Sequence, residues 1–349
     1  MKRCITKRRA PILFLAACLV MGLMIIAHGD AIAKDKVFKW KCQAYVSVAS
    51  TSYEKSLITV TNKIKERTDG RLLIEPYAAG SLVPTKEIFN AVKRGMIEMG
   101  LSAAGYYLDQ VPVGAVAQLP YCFKEPWEAA YFLKFKGFEE IARAEYAKHG
   151  IFWSSDRIHP CEIVLKKPVQ GMADIKGLKI RASGTNAKFL TAIGAASSYI
   201  PGQEIYTALA SGVVDGAYWG AAGGADSMGF YDVCKYHLKP PIMLSMADSW
   251  FVNQEAINKL PEDIQEVLYW TLEEEFWRRT NQYIYDERTT LAKVQGEKGV
   301  KVITLPLKDQ EMMTMEAIKL WDQEAQRDPV TAKAVTMVKA FLKELGHLK

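Results

Sequence analysis

A twelve-residue stretch occurs twice in this chain, and it sets the architecture. Glu87-Ile88-Phe89-Asn90-Ala91-Val92-Lys93-Arg94-Gly95-Met96-Ile97-Glu98 aligns with Glu204-Ile205-Tyr206-Thr207-Ala208-Leu209-Ala210-Ser211-Gly212-Val213-Val214-Asp215, Glu87 on Glu204 and Gly95 on Gly212, an offset of 117 residues throughout. Each copy reads as a short helix with Ile88, Ala91 and Val92 on one face, a glycine stop and the start of a strand. Two copies a domain's length apart exclude a solenoid, which needs three or more at a shorter period. They predict two lobes of similar build.

Around the first copy, Val37–Val46 reads as a strand. Ser50-Thr51-Ser52 can cap a helix through Tyr53, Leu57, Val60 and Ile64 to Thr68, and Asp69-Gly70 turns the chain into a strand over Arg71–Tyr77. After the helix Glu87–Arg94 comes a third strand, Met96–Ser102. Strand, helix, strand, helix, strand is the opening of a parallel α/β sheet.

Open α/β sheets bind ligands beyond the carboxyl ends of their strands. In the first lobe that end is Ser102-Ala103-Ala104-Gly105-Tyr106-Tyr107, and in the second it is Tyr218-Trp219-Gly220-Ala221-Ala222-Gly223-Gly224. Both are small-residue loops with two adjacent aromatics. Leu178–Arg181 alternates as a short strand, and Arg181 ends it ahead of Ser183-Gly184. A guanidinium fixed at a strand end is a planar fork of donors shaped for a carboxylate. If the lobes face each other, Arg181, Tyr106, Ala104, Tyr218 and Trp219 share one cleft, a pocket for a small organic anion. Asn186, on the segment following Arg181, and Arg157 are further candidates. Glu162 is a weaker one, because a carboxylate repels an anion unless it is protonated or metal-bound. His159 precedes Pro160, has no paired acid or nucleophile in sequence and reads as structural.

Pro126–Lys148 reads as one or two helices and Ile151–Ser155 as a strand crossing between lobes. Trp250–Asn253 reads as a strand returning to the first lobe. A long helix begins at Leu260-Pro261-Glu262 and runs to about Val294, long enough to brace both lobes. Val300–Leu305 is a strand and the tail from Lys308 is helical, its apolar faces available to the chain itself or to a homodimer. The first lobe thus covers 34–155 with part of 245–300, and the second covers 156–244 with part of 301–349.

Residues 1–33 read as an export signal. A basic start through Arg9 leads into the apolar run Ile12–Ala27 and the cleavage site Ala31-Ile32-Ala33. A retained membrane anchor and a lipoprotein box at Leu15-Ala16-Ala17-Cys18 are the alternatives. The chain has 45 bases and 39 acids, a formal charge of +6; removing the five bases and one acid of residues 1–33 leaves 40 against 38. That balance is no nucleic-acid footprint. Four cysteines remain (Cys42, Cys122, Cys161, Cys234); in an oxidising compartment they can be buried or paired, and spacing does not select a pairing. No GxSxG, GxGxxG, P-loop, CxxC or HExxH pattern occurs, which disfavours an exported enzyme.

In order and spacing, these motifs make the chain resemble the periplasmic solute-binding proteins of tripartite ATP-independent (TRAP) transporters. The residues that carry the resemblance are Arg67-Thr68-Asp69-Gly70-Arg71-Leu72, Glu87 to Gly95, Asp174-Ile175-Lys176-Gly177-Leu178-Lys179-Ile180-Arg181 and Ala208 to Gly216. Gly229-Phe230-Tyr231-Asp232-Val233-Cys234-Lys235-Tyr236 and the Leu260-Pro261-Glu262 helix start look most like the branch that binds 2-oxo acids. The resemblance implies a two-lobed periplasmic binding protein fold of α/β class, with hinge strands and a long bracing helix. It implies that Arg181 takes the ligand carboxylate and that Tyr218-Trp219 contacts the ligand. The ligand would be a 2-oxo or other monocarboxylate, and the added aromatics suggest a larger acid, with aromatic acids among the candidates. It would be delivered to membrane permease subunits, with a sensor partner of a signalling receptor as the alternative. In the 2-oxo acid branch a glutamate before the tryptophan helps hold a bridging cation. Here Tyr218 stands in that place, so neither a metal nor a cofactor is expected.

Overall fold

The computed structural model describes residues 36–348. The expected export signal, with Cys18 and Ala31-Ile32-Ala33, lies outside the described residues. Among the described residues eleven strands form two sheets: β1 Phe38–Ala44, β2 Leu72–Tyr77, β3 Met99–Ala103, β4 Ile151–Ser155, β5 His159–Leu165, β6 Lys179–Arg181, β7 Ala196–Ser198, β8 Gly216–Gly220, β9 Tyr236–Ser245, β10 Asp248–Asn253 and β11 Lys301–Thr304. The first sheet has the order β2-β1-β3-β10-β4 and the second β11-β9-β5-β8-β6-β7. β1 runs parallel to β2 and β3, while β10 enters antiparallel between β3 and β4. In the second sheet β6 is parallel to β7 and β8, and β5 is antiparallel to β8 and β9. The chain is therefore α/β with two lobes.

The repeat is structural. A 3₁₀ turn over Thr85–Glu87, the helix Ile88–Lys93 and β3 from Met99 match a 3₁₀ turn over Gly202–Glu204, the helix Ile205–Ser211 and β8 from Gly216, at the same offset. Gly95 and Gly212 both take left-handed backbone, with φ of +67° and +81°. That conformation strains any residue with a Cβ, which is why a glycine ends both helices.

The lobes are joined by two strand crossings and one helix. The chain passes from β4 to β5 through residues 156–158 and returns from β9 to β10 through residues 246–247. The crossings touch: Asp156 N–H donates to the Asp248 carbonyl at 2.7 Å. The helix Glu262–Lys298 has 37 residues, about 55 Å at 1.5 Å per residue. Pro261 and two acids begin it and Gly299 at φ +65° ends it, beyond the Val294 expected from sequence. Its buried positions include Ile264, Leu268, Thr271, Leu272, Glu275, Phe276, Arg279, Thr280, Tyr283 and Glu287, a stripe at helical spacing. One face of one helix thus runs along both lobes.

In the final helix, Pro329–Glu344, Phe341 packs on Phe123, Tyr131 and Phe132. The apolar tail also turns inward: Met313, Ala317, Leu320, Trp321, Val338 and Leu342 are buried within the chain. β9 was not anticipated, because Pro240-Pro241 sits in its middle. The β5–β9 pairing breaks register there, which tolerates two residues without a donor N–H. All four described cysteines are buried and free.

Candidate functional site

Arg181 ends β6, a strand held between β7 and β8. Two of its donors are fixed by backbone carbonyls: Nε donates to Ile200 O at 2.9 Å and Nη1 to Tyr218 O at 3.1 Å. Its guanidinium lies 5.0 Å from the Trp219 ring and 5.8 Å from that of Tyr199. The side chain is 1% exposed, and Nη2 has no partner. No described carboxylate pairs with it. A rigid, dry cation with one free donor is incomplete without an anion, since an unpaired buried charge is costly.

Arg181 lines a cavity of about 60 Å³ between the lobes. The first lobe and its connections contribute Tyr45, Ser50, Ala103, Tyr106 and Gln118. The second contributes Cys161, Ser183, Tyr218, Trp219 and Met243, the crossings Arg157, His159, Ser245 and Asp248, and the bracing helix Tyr283. A larger hollow of about 540 Å³, by Lys39, Lys65 and Glu98, lies on the outer side of the first lobe. No unpartnered buried polar side chain lines it. Four residues lining the inner cavity carry such an atom: Arg181 (Nη2), Arg157 (Nε), Gln118 (Nε2) and His159 (Nδ1).

At the hinge the charges are already matched. Arg157 Nη2 donates to Asp248 at 2.6 Å and to Ser52 Oγ at 3.0 Å, and Nη1 pairs with Asp156. Burial works against the Arg157 charge, but Asp248 and Asp156 hold it firmly protonated. Arg157 and Arg279 flank the Tyr283 ring at 5.0 and 4.9 Å. Burial, then Arg157, push Arg279 down to about 10. The same two causes, burial and the neighbouring guanidinium groups of Arg157 and Arg279, hold His159 well below the usual histidine range, so it is neutral. Burial pushes the Cys161 thiol up to about 12, so it is no thiolate.

Of the residues singled out from sequence, Arg181, Tyr106, Tyr218, Trp219 and Arg157 meet in this cavity. Arg157 is there as a hinge ion pair. Ala104 and Asn186 are buried behind the lining; Asn186 Nδ2 donates to Gln118 O at 3.0 Å. Glu162 needs correcting. Strand alternation turns Cys161 into the cavity and Glu162 to the opposite face of the sheet. There it pairs with His237 and Lys239, and Lys239 reaches Glu287 at 3.1 Å. Burial opposes the Glu162 charge, yet His237 and Lys239 keep its pKa low. Burial and Glu162 raise that of Glu287. Sequence reasoning missed Gln118, Asp248 and Tyr283. Tyr283 reads as core because it lies on the apolar stripe, and nothing local marks the other two.

A bridging cation, implied by the resemblance, does not fit here. Asp248 is the sole carboxylate among the described lining residues, and its Oδ2 is taken by Arg157 and Tyr45 at 2.6 and 2.7 Å. The described residues hold one cluster of three potential ligands, Glu162, His237 and Glu287. It lies behind the sheet with the Lys239 ammonium between its carboxylates.

The chain is 28% identical over 316 residues to a monocarboxylate 2-oxoacid-binding periplasmic protein of Nostoc sp., covering 85% of this chain and 84% of the relative. A TRAP periplasmic solute-binding protein of Chromohalobacter salexigens with bound (S)-(+)-2-amino-1-propanol superposes with a TM-score of 0.83 at 26% identity, over 89% of this chain and 97% of that one. A TRAP protein of Pseudoalteromonas atlantica with bound sodium and pyruvate gives 0.81 at 24% identity, over 89% and 95%; at that identity the likeness is one of fold. Residues 44–328 match the family described as bacterial extracellular solute-binding protein, family 7. Its members are receptors for solutes, not enzymes, and no described helix is long and apolar enough to cross a membrane. The chain belongs to that family and is a solute-binding protein of the TRAP-transporter type.

Proposed function

We propose that this protein captures a compact monocarboxylate between its lobes and hands it to the permease of a TRAP transporter. The observation that carries the reading is the Arg181 guanidinium. It is buried, anchored by two carbonyls, backed by Trp219 and left with Nη2 free beside the cavity. A ligand carboxylate meeting Nη2 supplies the missing partner, and its contacts with both lobes favour the closed arrangement. The Nostoc relative's name, a 2-oxoacid-binding protein, agrees with this chemistry.

The amino alcohol of the Chromohalobacter relative is a cation. Here a cation would face Arg181 unmatched, while Asp248 is already taken by Arg157 and Tyr45. Mass spectrometry of the small molecules that co-purify, followed by calorimetric titration, tests the reading. Recovery and tight binding of a small monocarboxylate is the expected result. A tightly bound amine or sugar without a carboxylate overturns it.

A further inference from the structure

The wall around Arg181 is unusual for a site that would share its acid with a metal ion. Calcium needs about six to eight oxygen ligands. Cys161 pairs across the sheet with Met243, and the Tyr218 hydroxyl points to Met243 Sδ at 3.6 Å. Cys161 Sγ in turn lies 3.4 Å from His159 Nε2. Two sulfurs, a phenol and a neutral imidazole therefore line the side of the cavity next to Trp219. Soft and sparse donors of this kind do not hold a hard cation.

What the cavity offers instead is Gln118, at the end of the 3₁₀ helix Pro112–Gln118. Its side chain is threaded between two glycines, one from each lobe. A Cβ on Gly105, in the loop after β3, would lie 2.4 Å from its Nε2. A Cβ on Gly184, three residues past Arg181, would lie 2.7 Å from its Oε1. No side chain could occupy either position without displacing the amide. Gln118 is 5% exposed, it lines the cavity, and Nε2 has no hydrogen-bond partner. A buried amide donor kept free, and kept in place by two absent side chains, is what a ligand-reading group requires.

We infer that this protein binds its acid without a bridging cation, and that the Gln118 amide reads a second, uncharged oxygen of the ligand while Arg181 holds the carboxylate. The class selected is a monocarboxylate carrying a keto or lactam oxygen close to its carboxyl group. The inference rests on the carboxylate-binding reading above. The Pseudoalteromonas protein holds both sodium and pyruvate; here a neutral donor takes the second oxygen and no ion is required. Because Gln118 touches glycines of both lobes, a ligand that engages it also ties the lobes together.

The test is isothermal titration with pyruvate, pyroglutamate and propionate, the last lacking the second oxygen. Protein dialysed against EDTA is compared with the same protein in millimolar calcium and in sodium-rich and sodium-free buffers. Pyruvate or pyroglutamate affinity is expected to agree within about twofold across these conditions. Gln118→Met, close in shape, is expected to weaken pyruvate or pyroglutamate binding about tenfold, leaving propionate within about twofold. Gly105→Ala, which pushes the amide aside, should reproduce the loss even if Gln118→Met folds poorly. Tenfold weaker binding after chelation or sodium removal overturns the inference, as does an equal loss for propionate and pyruvate in both variants. If none of the three acids binds the parent protein under any condition, the carboxylate reading itself falls, and this inference with it.

Discussion

Replacing Arg181 by lysine separates charge from geometry. The guanidinium presents Nη2 because Nε and Nη1 are tied to Ile200 O and Tyr218 O. A lysine keeps the charge, but its single ammonium cannot hold both carbonyls and also project a donor into the cavity. A hydrogen bond to a charged group contributes about 1.5–3 kcal/mol. Losing the Nη2 contact should therefore weaken acid binding roughly ten- to 150-fold. Arg181→Ala removes one member of a desolvated pair, at a cost of about 2–5 kcal/mol, and so at least about thirtyfold. Calorimetry on both variants, with circular dichroism and thermal melts to verify the fold, measures this. The expected order is parent, then lysine, then alanine. Both variants binding within twofold of the parent would refute the idea that a fixed guanidinium captures the ligand. So would lysine matching the parent while alanine fails, because charge alone would then suffice.

Three further outcomes follow from the geometry. Trp219→Ala removes the ring under the Arg181 guanidinium, a cation–π contact worth about 0.5–2 kcal/mol, and should weaken acid binding roughly two- to thirtyfold; unchanged titration isotherms would remove Trp219 from the site. Glu162→Leu breaks the pair with Lys239 and His237 behind the sheet. It should lower stability by about 3–5 kcal/mol in urea unfolding yet leave acid affinity within about twofold, whereas a large affinity loss in a folded variant would return Glu162 to the ligand site. His159 is held neutral by burial and by Arg157 and Arg279, with Asp248, Cys161 and Tyr283 also beside it. Its folded pKa is below the unfolded value of about 6.5, so the unfolded chain binds the proton first. Its contribution is complete above that pH and is lost as pH falls below it. The unfolding midpoint should therefore drop between about pH 6.5 and 5 more steeply in the parent than in His159→Asn; equal slopes would count against the assignment.

Much of this protein is written locally. The 117-residue repeat foretold two lobes of like build because glycine stops and apolar spacing act within a single turn, and Gly95 and Gly212 take the left-handed backbone that their positions require. The strand ending at Arg181, the strand Ile151–Ser155 that leads into the first crossing and the bracing helix were legible for the same reason. The face of the sheet on which Glu162 lies was not foreseen, because a period of two leaves either face open until β5 is set between β8 and β9. Nor could sequence announce Gln118, whose meaning comes from two glycines 13 and 66 residues away in the chain that close on it from opposite lobes. Asp248 and Tyr283 likewise became parts of the cavity only when the second crossing and the long helix packed against the first crossing. Periodicity and caps act between neighbours in sequence, so the chain alone determined most of its elements, β9 excepted, and set Arg181 at a strand end. Which side chains converge, and which polar atoms remain unpaired, depends on contacts between distant segments, and these only the folded structure decided.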